Sequence, residues 1–165
     1  MRPPHITIRR YPYEEPYHLN LVISASNGSF AGTLEYYCNA DDLGRMGSRL
    51  MAFPEGVGDT YSYELGSPRP EDRCAFHLAF RARTLDSSGH CALEFELNNN
   101  RQHTDRCSCS FAIRTETAAI NRLGRLLMTF GELKHSTLLW SETDGRLLVD
   151  EHTLGAERDG PASER

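Results

Sequence analysis

Residues 73–114 read Arg73-Cys-Ala-Phe-His-Leu-Ala-Phe-Arg-Ala-Arg-Thr-Leu-Asp86, a turn at Ser87-Ser88, His90-Cys-Ala-Leu-Glu-Phe-Glu-Leu-Asn98, a polar loop, and Arg106-Cys-Ser-Cys-Ser-Phe-Ala-Ile-Arg114. Each segment alternates apolar and polar residues, the period of a strand with one buried face. Joined by short polar loops, the three predict an antiparallel meander. The Ser87-Ser88 turn sets Leu78 against Leu97 and Arg81 against Glu94. The second loop, with Leu97 near Cys107, sets Cys91 against Ile113.

Upstream, Tyr17–Ser24 and Ser29–Cys38 flank Asn27-Gly28, a strong hairpin turn signal. A two-residue turn there puts Leu21 opposite Leu34 and Leu19 opposite Tyr36, with Leu19, Leu21, Ile23, Leu34, Tyr36 and Cys38 on one face. Residues 1–16 hold four of the eight prolines, so His5–Arg10 reads as a short edge strand. A helix follows the hairpin at about Ala40–Phe53: Asn39 can cap it, and Asp41 and Asp42 suit its positive end. Leu43, Met46, Leu50 and Phe53 form its apolar stripe, and Pro54 ends it. Thr60–Leu65 is a further short strand. After the meander, a second helix at Thr117–Phe130 aligns Ile120, Leu123, Leu127 and Phe130, with Thr115 or Thr117 to open it and Gly131 to close it.

These elements predict an α+β fold: a single antiparallel β-sheet of about six strands, with two α-helices packed on its apolar face. The domain is expected over 1–140, and 141–165 reads as a polar, disordered tail in which Leu147-Leu-Val149 adds at most one contact. One internal echo stands out. Ser29-Phe-Ala31, Leu43-Gly-Arg45 and Leu50-Met-Ala-Phe53 recur as Ser110-Phe-Ala112, Leu123-Gly-Arg125 and Leu127-Met-Thr-Phe130. Their spacing drifts, so they read as two similar amphipathic helices and not as a regular repeat.

Composition limits the function classes. An apolar share of 39 % fits a folded globule, and a net charge of −5 with pI near 5.8 argues against nucleic acid. The sequence has no apolar run near the ~20 residues of a membrane span and no signal-peptide core at its start, so a reducing cytoplasm is expected. Cys74, Cys91, Cys107 and Cys109 are in phase with the apolar residues of their strands. On the expected register Cys91 lies ~20 Å from the Cys107 level at ~3.3 Å per residue, whereas zinc needs its sulfurs ~2.3 Å from one point. The cysteines are therefore expected to be small buried hydrophobes, with no metal and no cofactor.

The opposite face of the meander carries the candidate chemistry. His77, Arg81 and Arg83, then Glu94 and Glu96, then Arg106, Ser108 and Ser110 share one side, with Ser110 expected beyond the Arg81–Glu94 pair. Small and charged residues alternate there, which predicts a shallow polar trough. A cross-strand charge lattice accounts for the pattern. These eight residues are also the candidates for a partner-binding surface.

The hairpin Leu19–Cys38, the helix with its Phe53-Pro54 end, Tyr61-Ser-Tyr-Glu-Leu-Gly66, the meander and the closing helix together cover about residues 17–131. In that order the parts resemble the WapI-type immunity proteins of bacterial polymorphic toxin systems, which are small cytoplasmic proteins, and their uncharacterised relatives. The resemblance implies a non-catalytic protein-binding module that neutralises a toxin. An acidic inhibitor suits a basic, nuclease-like toxin domain as its protein partner. The alternative is a small-molecule or peptide-binding module using the polar trough. A hydrolase comes third, because the sequence offers no nucleophile elbow, Walker loop or metal-spaced histidine pair.

Overall fold

The computed structural model describes residues 2–150. Its strands are β1 (His5–Tyr11), β2 (His18–Ser26), β3 (Ala31–Asn39), β4 (Thr60–Gly66), β5 (His77–Thr84), β6 (His90–Asn98), β7 (Ser108–Glu116), β8 (Thr137–Ser141) and β9 (Gly145–Leu148). Helix α1 (Ala40–Met51) follows β3, and α2 (Thr117–Phe130) follows β7.

The expected single sheet is corrected to two. One antiparallel sheet runs β3-β2-β1-β8-β9 and the other β4-β5-β6-β7, so the protein is mostly β and 21% helical. The local turns did specify their hairpins. What they could not specify was the partner of each strand that leaves a helix. After α1 the chain does not return to the first sheet: β4 pairs with β5. After α2 it does return, and β8 pairs with β1, Trp140 opposite Ile6 and Leu138 opposite Ile8.

The pairing shows a repeat of elements that only part of the sequence echo follows. Each half of the chain is three antiparallel strands, a helix and a fourth strand. In each sheet the order is third, second, first, and then the fourth strand of the other half. Leu19, Leu21 and Ile23 of β2 thus occupy the places of Cys91, Leu93 and Phe95 in β6, and all six are buried. Of the echoed segments only Leu50–Phe53 and Leu127–Phe130, as far apart as the helix starts Ala40 and Thr117, hold equivalent places; the Ser-Phe-Ala and Leu-Gly-Arg matches fall out of structural register.

The loops Asn27–Phe30 and Asn99–Cys107 correct two expected registers by two residues each. The first hairpin closes with Ser26 opposite Ala31, so Leu21 faces Tyr36 and Leu19 faces Cys38. Asn27 builds this four-residue turn: its Oδ1 accepts from the N–H groups of Ser29 (2.9 Å) and Phe30 (2.8 Å). Gly28 supplies the positive φ of 93°. In the meander, Leu97 faces Cys109 and Cys91 faces Thr115. A slip of two keeps every side chain on its face, which is why Leu19, Leu21, Ile23, Leu34, Tyr36 and Cys38 still share the buried side.

The helices lie against each other. An ideal Cβ on Gly124 would sit 2.5 Å from the Met51 N and 2.7 Å from the Gly47 O, so the two backbones meet at a glycine crossing. Around it, Leu43, Leu50, Ile120, Leu123 and Leu127 join both sheets in one hydrophobic core. Trp140, 2% exposed, donates its Nε1–H to the Ala119 carbonyl (2.8 Å) and ties β8 to α2. Asn39 sits at the N-cap of α1 but makes no side-chain cap bond, and Glu116, not a threonine, occupies that position in α2. Gly131 is the C-cap of α2.

Ordered pairing continues past residue 140. β9 pairs along β8, Leu147 opposite Leu138, and Leu147 packs against the core. The rest of the expected tail, residues 151–165, lies outside the described residues.

Candidate partner-binding surface

The outer face of the second sheet is built by alternation. Leu78, Phe80 and Ala82 point inward with Leu93, Phe95 and Leu97, so the residues between them must face out. Phe95 anchors this inner side, with ring centroids 5.4 Å from Phe80 and 5.5 Å from Phe111. Each outward row then crosses all four strands. Ser62, Arg81, Glu94 and Ala112 make one row; Glu64, Ala79, Glu96 and Ser110 make the next.

Arg81 does oppose Glu94, as expected. Its Nη1 lies 3.5 Å from Glu94 Oε2, and its Nε donates to Ser62 Oγ (3.3 Å). Arg83 approaches the other carboxylate oxygen, Nε to Oε1 at 2.5 Å. One carboxylate therefore serves two guanidinium groups, both about half exposed, where an ion pair contributes ~0–1 kcal/mol. Ser110 does not stand beyond this pair. It faces Glu96, because of the longer loop before β7.

Other candidates are redistributed. His77 is buried, its side chain only 5% exposed, with Nε2 2.8 Å from Glu64 Oε1. It is a satisfied interior histidine at the end of β5 and not part of an open surface. Arg106 leaves the face altogether and stands in the loop before β7. Ser108, opposite Asn98, and Ser110 are exposed on β7, the edge of the sheet. Glu96 is exposed and has no ion-pair partner among the described residues.

Sequence reasoning missed Ser62 and Glu64. The alternation of Tyr61, Tyr63 and Leu65 pointed to them, but nothing local placed β4 beside β5. With them the face encloses a trough of about 180 Å³ lined by Ser62, Glu64, Arg81, Glu94 and Glu96.

The cysteines divide. Cys38 and Cys91 are buried, Cys74 and Cys109 are half-buried, and Cys107 is exposed, which corrects the expectation that all lie in the core. Cys74 and Cys107 precede the strands whose phase they appeared to share. Burial, with the Asp42 charge nearby, pushes the Cys38 thiol up to about 12. Burial also pushes the Tyr63 phenol far up, and its hydroxyl donates to Asp42 Oδ2 (2.8 Å). Cys38 is therefore a protonated thiol at neutral pH, not a thiolate. Among the described residues, no group of three or more His, Cys, Asp or Glu is placed to hold a metal ion. No described helix is long and apolar enough to cross a membrane.

Comparison with protein-family models, curated proteins and solved structures finds no match to this chain.

Proposed function

We propose that the protein is a non-catalytic module that binds a partner protein across the outer face of its second sheet. The shape of that face carries the reading. Its trough, about 180 Å³, falls below the roughly 300–1,000 Å³ of small-molecule sites, while the outward rows extend across four strands. That weighs against the small-molecule alternative on this face. The resemblance to WapI-type immunity proteins supports a toxin domain as the partner, and the net charge of −5 supports a basic one.

The test uses the product of the neighbouring reading frame as partner. Glu94→Lys with Glu96→Lys turns the face positive beside Arg81 and Arg83 while leaving the core intact. A basic partner then associates more slowly, most visibly at low salt, where screening is weak. Association unchanged in the folded double variant would place the interface elsewhere and overturn the assignment of this face.

A further inference from the structure

Beyond one end of the same sheet, the loop 67–76 and the loop 99–107 face each other across a cleft of about 580 Å³. Arg69, Arg73, Arg101, His103 and Arg106 line it, and no Asp or Glu does. The same two loops also carry Glu71, Asp72 and Asp105, so the positive sign belongs to the lining of the cleft and not to the loops as a whole. Arg69 is held by Asp72, Nε to Oδ2 at 3.0 Å. Among the described residues, Arg73, Arg101 and Arg106 have neither a carboxylate partner nor a side-chain hydrogen bond.

The walls are fixed from behind. Asn100 Nδ2 donates to the carbonyls of Ser67 (2.8 Å) and Cys74 (3.0 Å) and so staples one loop to the other. Asn99 Oδ1 accepts from the N–H groups of Arg101 (3.2 Å) and Cys107 (3.0 Å), and its Nδ2 donates to the Asp105 carbonyl (2.9 Å). Arg73, Asn100 and His103 all adopt positive φ, at 51°, 51° and 53°. Such conformations cost free energy and persist where the surroundings enforce them. The loops are therefore a preformed frame that holds the guanidinium groups of Arg73, Arg101 and Arg106 without ion-pair partners among the described residues. Guanidinium forks match phosphate oxygens in paired hydrogen bonds.

We propose that this cleft is a binding site for a compact anion carrying two or more linked phosphate groups. The charge pattern sets the size of the ligand. Glu64 and Glu96 lie on the adjoining sheet face, one outward row from the His77–Asn98 pair that ends at these loops. A short polyanion satisfies the free arginines without meeting those carboxylates, whereas a nucleic-acid strand leaving the cleft along the sheet would be repelled by them.

Calorimetric titration of the full chain with inorganic tripolyphosphate tests the proposal, with inorganic phosphate and a single-stranded oligonucleotide titrated in parallel. The expected result is one saturable site for tripolyphosphate, weakened by added salt, with inorganic phosphate bound about tenfold or more weakly. Arg101→Ser with Arg106→Ser removes two exposed side chains that the fold does not use, so the melt stays as in wild type while tripolyphosphate affinity falls about tenfold or more. Arg81→Ser with Arg83→Ser removes equal charge from the sheet face and leaves affinity within about twofold. No saturable binding, equal losses in the two double variants, or tighter binding of the oligonucleotide would each overturn the proposal, the last assigning the cleft to nucleic acid.

Discussion

Gly124→Ala tests the architecture at its tightest point. Alanine is normally favoured over glycine inside a helix by about 1 kcal/mol. Here the new methyl would stand 2.5 Å from the Met51 N, 2.7 Å from the Gly47 O and 2.9 Å from the Leu50 C. All three are backbone atoms of α1, so no side chain can swing aside. Restoring ordinary contact at ~3.4 Å requires the helices to part by about 0.9 Å, and a gap of ~0.5–1 Å forfeits a quarter to a half of each contact across it. Overpacking of this kind costs ~1–3 kcal/mol. After the propensity gain, a loss of about 2 kcal/mol remains at the upper end, or ~4–8 °C for a chain of this size. Gly44→Ala, in the same region of α1 but with nothing within 4 Å of its Cβ, is the control and should gain up to ~1 kcal/mol. Urea unfolding of both variants reads the difference directly. A Gly124→Ala variant that gains stability as Gly44→Ala should would refute the close crossing.

Three further outcomes follow from particular residues. A disulfide-exchange reagent at pH 8 should label Cys107 first and leave Cys38 and Cys91 unlabelled until the protein unfolds, since two are buried and one is exposed; rapid labelling of Cys38 would show that its pocket opens. The Arg49 guanidinium, 2.5 Å from Asp59 Oδ1, holds that carboxyl below the usual carboxylate range. A depressed folded-state pKa stabilises above the unfolded value of ~3.9, and the contribution disappears as pH falls through the folded value. Asp59→Asn should therefore be less stable than wild type at pH 7, and the two should converge as pH falls from the unfolded value of ~3.9 through the lower folded one; a constant difference on acidification would exclude the ion pair as its source. Truncation after Ser141 removes β9 and the packing of Leu147, and should lower the melting temperature in proportion to ~1–2 kcal/mol of lost apolar burial; an unchanged melt would make β9 dispensable.

Where the fold was legible in the sequence, the signal was local. Alternation in Leu19–Ile23, Leu34–Cys38 and Leu93–Leu97 gave the inward faces, and the stripes through Leu43 and Leu123 gave the helices. The outer face of β5 and β6 was legible for the same reason, down to the opposition of Arg81 and Glu94. The sheet count was not, because it depends on two long-range pairings, β4 with β5 and β8 with β1. No turn or periodicity encodes either. The registers failed at Asn27–Phe30 and Asn99–Cys107, where asparagine side chains build loops longer than the shortest turn that the spacing permits. His77 was misjudged because burial at a strand end depends on which loops cover it, here with Glu64 as its partner. The basic cleft was hidden for a related reason: its arginines belong to two loops more than twenty residues apart, brought together only by the pairing of β5, β6 and β7.

The repeated scaffold also shows where the second half departs from the first, and that departure is the cleft. The loop between the second and third strands is Asn27–Phe30 in one half and Asn99–Cys107 in the other, and the longer one supplies Arg101, His103 and Arg106. The opposite wall, with Arg69 and Arg73, comes from the connection between the halves. Neither wall belongs to the shared framework, and variable loops on a rigid frame are where binding groups collect. Grafting the four residues of the first turn in place of 99–107 separates scaffold from site. The closing pairs are equivalent, Ser26 with Ala31 and Asn98 with Ser108, so the register of β6 and β7 is preserved. Shortening the loop recovers roughly 0.7 kcal/mol of closure entropy, against the lost Asn100 bonds to Ser67 and Cys74 at ~0.5–1.5 kcal/mol each. The melting temperature should therefore fall by no more than ~4–8 °C, while tripolyphosphate binding disappears. A graft that unfolds the protein would show that this loop is part of the framework after all. A folded graft that still binds would take the site away from the cleft.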